Sequence, residues 1–394
     1  MKLLNSKIPS INTYDIKNPS ITWNREHTAG LTELLYNTDF NFDFWYCFFS
    51  CEKSFKVYDI VQLIENETIE RIKNKQAFLV LENTLEPFEL VIDSIYENIV
   101  TKGIPADQII LLTNLYDAKS YCKIVAERHN QPLLRILWYT VFEQSLKNDL
   151  LHNVYTVENI DRSPHTLQVK KYHKAFLNFN RRWRLHRPFL VALLYGKNLL
   201  DRGYVSLGPC ESRDNWDYRW NELISYFRDD SAILNLLESC SEVKELPPMF
   251  LDTDELHINR AESTVDTNQY YEDSYFSVVS ETTFFTKYNY NSFRFLSEKI
   301  FKPIAMKHPF ILVSVPRSLE ILKIMGYKTF SPIIDERYDL ELDDGKRMLM
   351  ILAEIERLSK FNKHERANFI LQCQAICDYN YKMLLSKKKF ITEL

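Results

Sequence analysis

The sequence predicts an α/β protein of two Rossmann-like domains facing a cleft, followed by C-terminal helices. Three observations predict it. Short apolar runs alternate with helix-period segments in both halves of the chain, the order of a parallel sheet buried on both faces. At 394 residues the chain exceeds one ordinary core and suits two domains of ~150–200 residues each. A hydrophobic content of 45% can fill two such cores.

In the first half, A-F-L-V-L (77–81), Q-I-I-L-L-T (108–113) and L-R-I-L-W (134–138) read as buried strands. The segments 87–102 and 117–129 between them have helical periodicity. A polar stretch at 158–171 containing Pro164 reads as a junction, which gives domains over 1–165 and 166–365. The second half repeats the pattern. A strand at 175–178 leads to a helix at 188–200, with Pro188 in its first turn, and a strand at 203–207. An acid-rich region, 231–267, reads as irregular. An apolar run at 275–279 then ends on Glu281. Glu298 and Lys299 open an amphipathic helix with Pro303 near its start; Pro309 stops it, and a strand follows at 310–315. A helix at 317–325 ends at Gly326. Residues 340–389 are mostly helical with a break near 360–363, and a helical tail over 366–394 could pack back on the first domain.

Composition excludes several classes. The formal net charge of -4 gives no global pull toward nucleic acid or acidic membranes. No apolar stretch approaches the ~18–20 residues that span a bilayer, and the N-terminus lacks a secretory core, so a soluble cytoplasmic protein is the plain reading. The seven cysteines are odd in number and scattered, which argues against a disulfide framework. Cys47/Cys51 and Cys373/Cys377 are each one helical turn apart, but buried free thiols fit them better than a structural zinc. No dinucleotide fingerprint, P-loop, nucleophile elbow or H-E-x-x-H pattern is present. There is no internal repeat.

Chemistry gathers in the second half. Glu281 closes a strand, and Glu298 and Lys299 begin the next helix. In open α/β sheets ligands sit at the carboxyl ends of strands, often against a helix N-terminus. An acid there can accept from sugar or ribose hydroxyls, and a lysine can meet a diphosphate, so the pair suits a nucleotide sugar. The bland alternative is a solvated first helical turn, in which Lys302 simply pairs with Glu298. The run N-F-N-R-R-W-R-L-H-R-P-F-L places Asn180, Arg181, Arg182, Arg184 and Arg187 between a strand and a helix, where at least one phosphate contact is expected. His186, in the same run, suits a packing or capping role. Asp252-Thr253-Asp254 matches a metal–nucleotide pattern, but patterns of three residues arise by chance and this one does not end an apolar strand.

The blocks V-S-E-T (Glu281), F-L-S-E-K (Glu298, Lys299), N-F-N-R-R-W-R-L-H-R (Asn180, Arg187) and L-E-N-T-L-E-P-F (Glu82, Asn83, Pro87, Phe88) resemble those of the α1,3-fucosyltransferase family. Its relatives include glycosyltransferase-like proteins of tailed phages and bacteria. The resemblance is best over 175–205 and 274–315. The chain departs at Phe295, where the family usually has tyrosine, and at Leu81, where it has glycine; the lost hydroxyl leaves the donor sugar open. The resemblance implies a GT-B architecture and an inverting transfer from a nucleotide diphosphate sugar, with no metal or other cofactor. It implies Glu82 as general base, with Glu86 as the rival. Arg187 and Lys299 would bind the diphosphate and neutralise the leaving group. Glu298 would hold hydroxyls beside Glu281, with Asn180, Lys302 and Phe295 completing the donor site.

The acceptor stays open between a surface glycan and a hydroxymethylated base of phage DNA. The first half offers only aromatics (Trp23, Phe40, Phe42, Phe44, Trp45, Tyr46, Phe48, Phe49), which stack on sugars and bases alike but read first as core. DNA would need a basic groove, for which the basic segments 170–187 and 387–389 are candidates. A nucleotide- or glycan-binding protein without turnover is the alternative from a different class.

Overall fold

The computed structural model describes residues 44–48, 64–84, 90–151, 171–208, 216–246, 249, 251, 268–287 and 293–393. They form two compact units. Unit 1 takes those within 1–145, 289–295 and 387–394, and unit 2 those within 146–288 and 296–386. Of the expected junction at 158–171, only Lys171 is described.

Unit 1 follows the order β1 (Phe44–Phe48), α1 (Asn66–Lys73), β2 (Phe78–Asn83), α2 (Leu90–Asn98), β3 (Ile109–Thr113), α3 (Ala118–His129), β4 (Arg135–Tyr139) and the start of α4 (Val141–Leu151). The strands β1 to β4 lie side by side and parallel, with Trp45 opposite Leu79, Leu79 opposite Ile109, and Ile110 opposite Arg135. Successive side chains enter opposite faces. Trp45, Leu79, Leu81, Ile109, Leu111 and Ile136 join one core; Phe44, Val80, Ile110, Leu112, Leu137 and Tyr139 join the other. Two covered faces explain why these strands read as unbroken apolar runs. The C-terminal strand Ile391–Glu393 closes the edge antiparallel to β4, with Arg135 gripping Glu393 through Nε at 2.7 Å and Nη2 at 2.8 Å.

Unit 2 follows β5 (Phe176–Asn178), α5 (His186–Gly196), β6 (Gly203–Val205), α6 (Trp216–Tyr226), α7 (Ser231–Ser239), α8 (Asn268–Asp273), β7 (Phe276–Ser280), α9 (Glu298–Ala305), β8 (Phe310–Val313), α10 (Ser318–Ile324), α11 (Asp344–Ser359) and α12 (Lys363–Ser386). Its sheet runs β6-β5-β7-β8, all parallel. Both units are therefore α/β with parallel strands. Among the described residues no helix is long and apolar enough to cross a membrane.

Two sequence expectations need correction. The stretch read as irregular begins with α7, because Asp230 caps it by accepting from the backbone N–H groups of Ala232 and Ile233 at 3.1 Å, and Ile233 and Leu237 bury one face. Pro303 lies well inside α9 rather than near its start. There it removes the donor that would meet the Lys299 carbonyl, and the residue is buried.

Candidate functional site

The carboxyl ends of β5 and β7 carry buried polar residues where neighbouring strands end apolar. Asn178 ends β5, and its Nδ2 donates to the Val278 carbonyl (2.7 Å) and to Ser280 Oγ (3.1 Å) on β7. Asn180 extends the chain of contacts: its Nδ2 donates to Asn178 Oδ1 (2.5 Å), and its backbone N–H to Ser206 Oγ (2.9 Å). Asn180 Oδ1 is buried with no hydrogen-bond partner among the described residues. Such a group is expensive unless something meets it.

Glu281 follows β7 and is fully buried. Its carboxylate accepts from Ser297, through the backbone N–H at 3.1 Å and through Oγ at 2.6 Å. Ser297 is the N-cap of α9, and its Oγ also accepts from Lys299 Nζ at 2.9 Å. Lys299 Nζ lies 2.9 Å from Glu298 Oε1 as well. Lys299 and Glu298 keep 28% and 44% of their side-chain exposure, so both side chains are only partly buried. Burial pushes the Glu281 carboxyl upward, with Lys299 and Ser297 opposing. Glu298 goes the other way. Desolvation favours its neutral form, but Lys299 and Lys302 override this and bring it down to about 2. One helix start thus pairs a buried acid whose carboxyl is pushed upward by desolvation with a second acid that neighbouring lysines hold firmly ionised.

The first turn of α5 meets the same strand end. His186 Nε2 lies 2.9 Å from the Glu281 carbonyl, and its ring stacks on Phe284 at 5.6 Å. Burial, and then the charge of Arg187, hold this imidazole well below its ordinary value, so it is neutral. Arg187 is buried, and donates from Nη1 to the Arg182 carbonyl (2.6 Å) and from Nη2 to the Ser280 and Glu281 carbonyls (3.2 and 3.3 Å). Its Nε has no partner among the described residues. Burial, reinforced by Arg184, lowers the guanidinium to about 10, while Glu281 and Glu298 partly restore it. Arg187 therefore clamps the end of β7 and contributes charge, and the exposed guanidinium groups nearby are Arg181, Arg182 and Arg184. Gly208 shapes this segment: a Cβ there would lie 1.9 Å from the Arg181 carbonyl oxygen. Trp183 Nε1 fixes the same contact by donating to the Gly208 carbonyl at 2.7 Å.

The structure thus gathers Asn180, Arg187, Glu281, Glu298 and Lys299 in unit 2, with Lys302 half-buried on α9. Phe295 is not among them, because its ring is built into the core of unit 1, edge-on to Phe142. Glu82 is the last residue but one of β2 in unit 1, flanked by β1 and β3. Its side chain is fully buried, and Thr84 Oγ1 donates to its Oε1 at 2.8 Å. Phe44 and Trp45 are core residues. Glu86, Pro87, Phe88, Asp252, Asp254 and the other first-half aromatics singled out from the sequence lie outside the residues whose side chains are described.

The sequence did not single out Ser297 or Asn178, although a serine before Glu-Lys at a helix start is a cap signal. It also missed Asp344 and Arg347. Arg347 is buried, donates to the Phe284 carbonyl (2.6 Å) and the Ser314 carbonyl (3.2 Å), and pairs with Asp344. Asp344 in turn accepts from the Thr286 backbone N–H and from the Tyr226 hydroxyl. These contacts pin the chain just after Glu281. Among the described residues no three His, Cys, Asp or Glu side chains are placed to hold a metal ion. Cys373 and Cys377 are buried free thiols.

No protein-family model matches the chain, and no curated protein matches it. Among solved structures it is similar to the trehalose-6-phosphate phosphatase N-terminal domain of Candida albicans, at a TM-score of 0.43 and 10% identity, over 91% of this chain and 69% of that one. At that TM-score the likeness says nothing of this chain's chemistry.

Proposed function

We propose that the protein is a glycosyltransferase that moves a sugar from a nucleotide diphosphate sugar to an acceptor hydroxyl, inverting and without a metal. The observation that carries the reading is the start of α9. There Lys299 is partly exposed beside a helix N-terminus, Glu298 is firmly ionised, and Arg187 adds buried charge. A diphosphate fits the lysine and the helix end, and ribose or sugar hydroxyls fit Glu298. In the reaction the acceptor oxygen attacks the anomeric carbon as the bond to the diphosphate breaks. Glu82, by resemblance, takes the acceptor proton, and Lys299 stabilises the departing diphosphate. Because Arg187 already donates to three carbonyls, its part is electrostatic. The acceptor is a surface glycan or a hydroxymethylated DNA base, and the place of action is the cytoplasm, where nucleotide sugars are made.

One observation favours a second reading, a nucleotide- or glycan-binding protein without turnover. Glu82 has no exposed surface, and a general base must reach its proton. Turnover separates the two. Release of nucleoside diphosphate from a nucleotide sugar, dependent on a glycan or on hydroxymethylated DNA, establishes the transferase. Binding of the same nucleotide with no release across both acceptor classes establishes the binding protein.

A further inference from the structure

Within unit 2 the Ser297 hydroxyl is a fully committed group. It donates its proton to Glu281 Oε2 at 2.6 Å, and it accepts from Lys299 Nζ at 2.9 Å and from the Lys299 backbone N–H at 3.4 Å. A hydroxyl has one proton and two lone pairs, so all of them are used. Glu281 sets this arrangement. Its other oxygen, Oε1, accepts from the Ser297 backbone N–H at 3.1 Å, and an ionised carboxylate offers the hydroxyl only an acceptor. The hydroxyl proton therefore points at Glu281, and the lone pairs face Lys299. Glu281 in turn is fixed at its backbone. Its N–H donates to the Val313 carbonyl at 3.0 Å, and its carbonyl meets His186 Nε2 at 2.9 Å and Arg187 Nη2 at 3.3 Å. Lys299 Nζ spends a second hydrogen on Glu298 Oε1 at 2.9 Å. Among the described residues its third is left for a ligand.

We propose that Glu281 is a positioning residue for Lys299, acting through Ser297. It orients the hydroxyl that holds the ammonium group at the start of α9, and, being fully buried, it is no ligand contact itself. Without that hydroxyl Nζ keeps only Glu298, whose side chain is itself partly exposed. The role rests on the donor-site reading given above. It also fixes the sign of an effect. A buried carboxylate near a diphosphate repels it, so loss of the charge alone would tighten binding. Loss of the hold on Lys299 would weaken it. The positioning role requires the second effect to win.

The test compares Glu281→Gln, Ser297→Ala, Ser297→Thr and the double variant Glu281→Gln with Ser297→Ala against the intact chain, using uridine and guanosine diphosphates as probes in calorimetry. The Lys299 Cε resonance, assigned by its loss in Lys299→Ala, is followed by NMR without ligand. Glutamine has one acceptor oxygen where Glu281 uses two, so its amide must turn a donor on Ser297 and disturb the hydroxyl. Glu281→Gln should weaken nucleotide binding by about three- to tenfold, the cost of ordering one long side chain on binding, and should shift the Lys299 resonance. Ser297→Ala should do the same, and Ser297→Thr, which restores a hydroxyl, should recover part of the affinity. In the Ser297→Ala background, Glu281→Gln should weaken binding no further. Should Glu281→Gln fail to fold, Glu281→Asp carries the same comparison, since it keeps the charge and withdraws the carboxylate from Ser297. Equal or tighter binding in Glu281→Gln would overturn the proposal, as would a loss that persists undiminished in the Ser297→Ala background. If the intact chain binds neither nucleotide, the donor-site reading fails. The Lys299 resonance then decides alone, and its staying unmoved in Glu281→Gln would overturn the positioning role.

Discussion

Asp339 offers a clean test of the electrostatics of unit 2. Its carboxylate is buried and accepts from the Leu319 backbone N–H at 3.2 Å with both oxygens, at the start of α10. Burial raises it from the usual 3.8 to about 6; the backbone donors oppose this and Glu336 adds to it. The folded chain thus holds this proton more tightly than the unfolded chain does. The resulting stability is fully present below the unfolded value and is lost as pH rises through about 6. The gap from 3.8 to about 6 is worth about 3 kcal/mol at most, at ~1.4 kcal/mol for each pH unit. Asn in place of Asp keeps an acceptor for Leu319 and cannot titrate. The stability of Asp339→Asn relative to the natural chain should therefore rise by up to about 3 kcal/mol between about pH 4 and about pH 7. Urea unfolding followed by tryptophan fluorescence at several pH values reads this difference directly. Parallel stability curves for the two proteins across that range would refute the burial argument.

Three further outcomes are expected. Lys299→Ala should weaken nucleoside diphosphate binding by ~10- to 100-fold, the loss of one charge-assisted hydrogen bond, as read by calorimetry. Glu82→Ala should abolish sugar transfer and leave donor affinity unchanged, and an unaltered rate would remove Glu82 as the base. Gly208→Ala forces a Cβ to 1.9 Å from the Arg181 carbonyl oxygen. It should therefore destabilise unit 2 by ~1–3 kcal/mol and lower nucleotide affinity together with it, measured by thermal unfolding and titration.

The parallel strands were legible because burial on both faces leaves a continuous apolar run, as in I-I-L-L-T of β3 and F-I-L-V of β8. The break between α11 and α12 was legible for the opposite reason, a polar K-F-N between two helical patterns. The C-terminal strand was not legible. Its three residues, I-T-E, become a strand only by pairing with β4, where Glu393 meets Arg135 across 258 residues of chain. The helix after Asp230 was hidden by the acid-rich composition that follows it.

At the candidate site, the charged residues were visible as blocks: Glu298 with Lys299, and the arginine run. What they touch was not visible. Asn178 meets Ser280 across 102 residues, Arg187 meets Glu281 across 94, and Arg347 meets Phe284 across 63. No local pattern encodes such pairings. Phe295 shows the limit of block reading, because it stands three residues before Glu298 in sequence and yet its ring belongs to the core of unit 1.

The central claim is that the start of α9 binds a nucleoside diphosphate without a metal. Titrating the intact chain with a panel of nucleoside diphosphates and their sugars, with and without EDTA, tests it most directly. The account predicts saturable binding of one nucleotide, unchanged by EDTA and weakened in Lys299→Ala. Absence of binding across the panel would contradict the claim outright. Binding that EDTA abolishes would contradict its metal-free form and turn attention to Asp252 and Asp254.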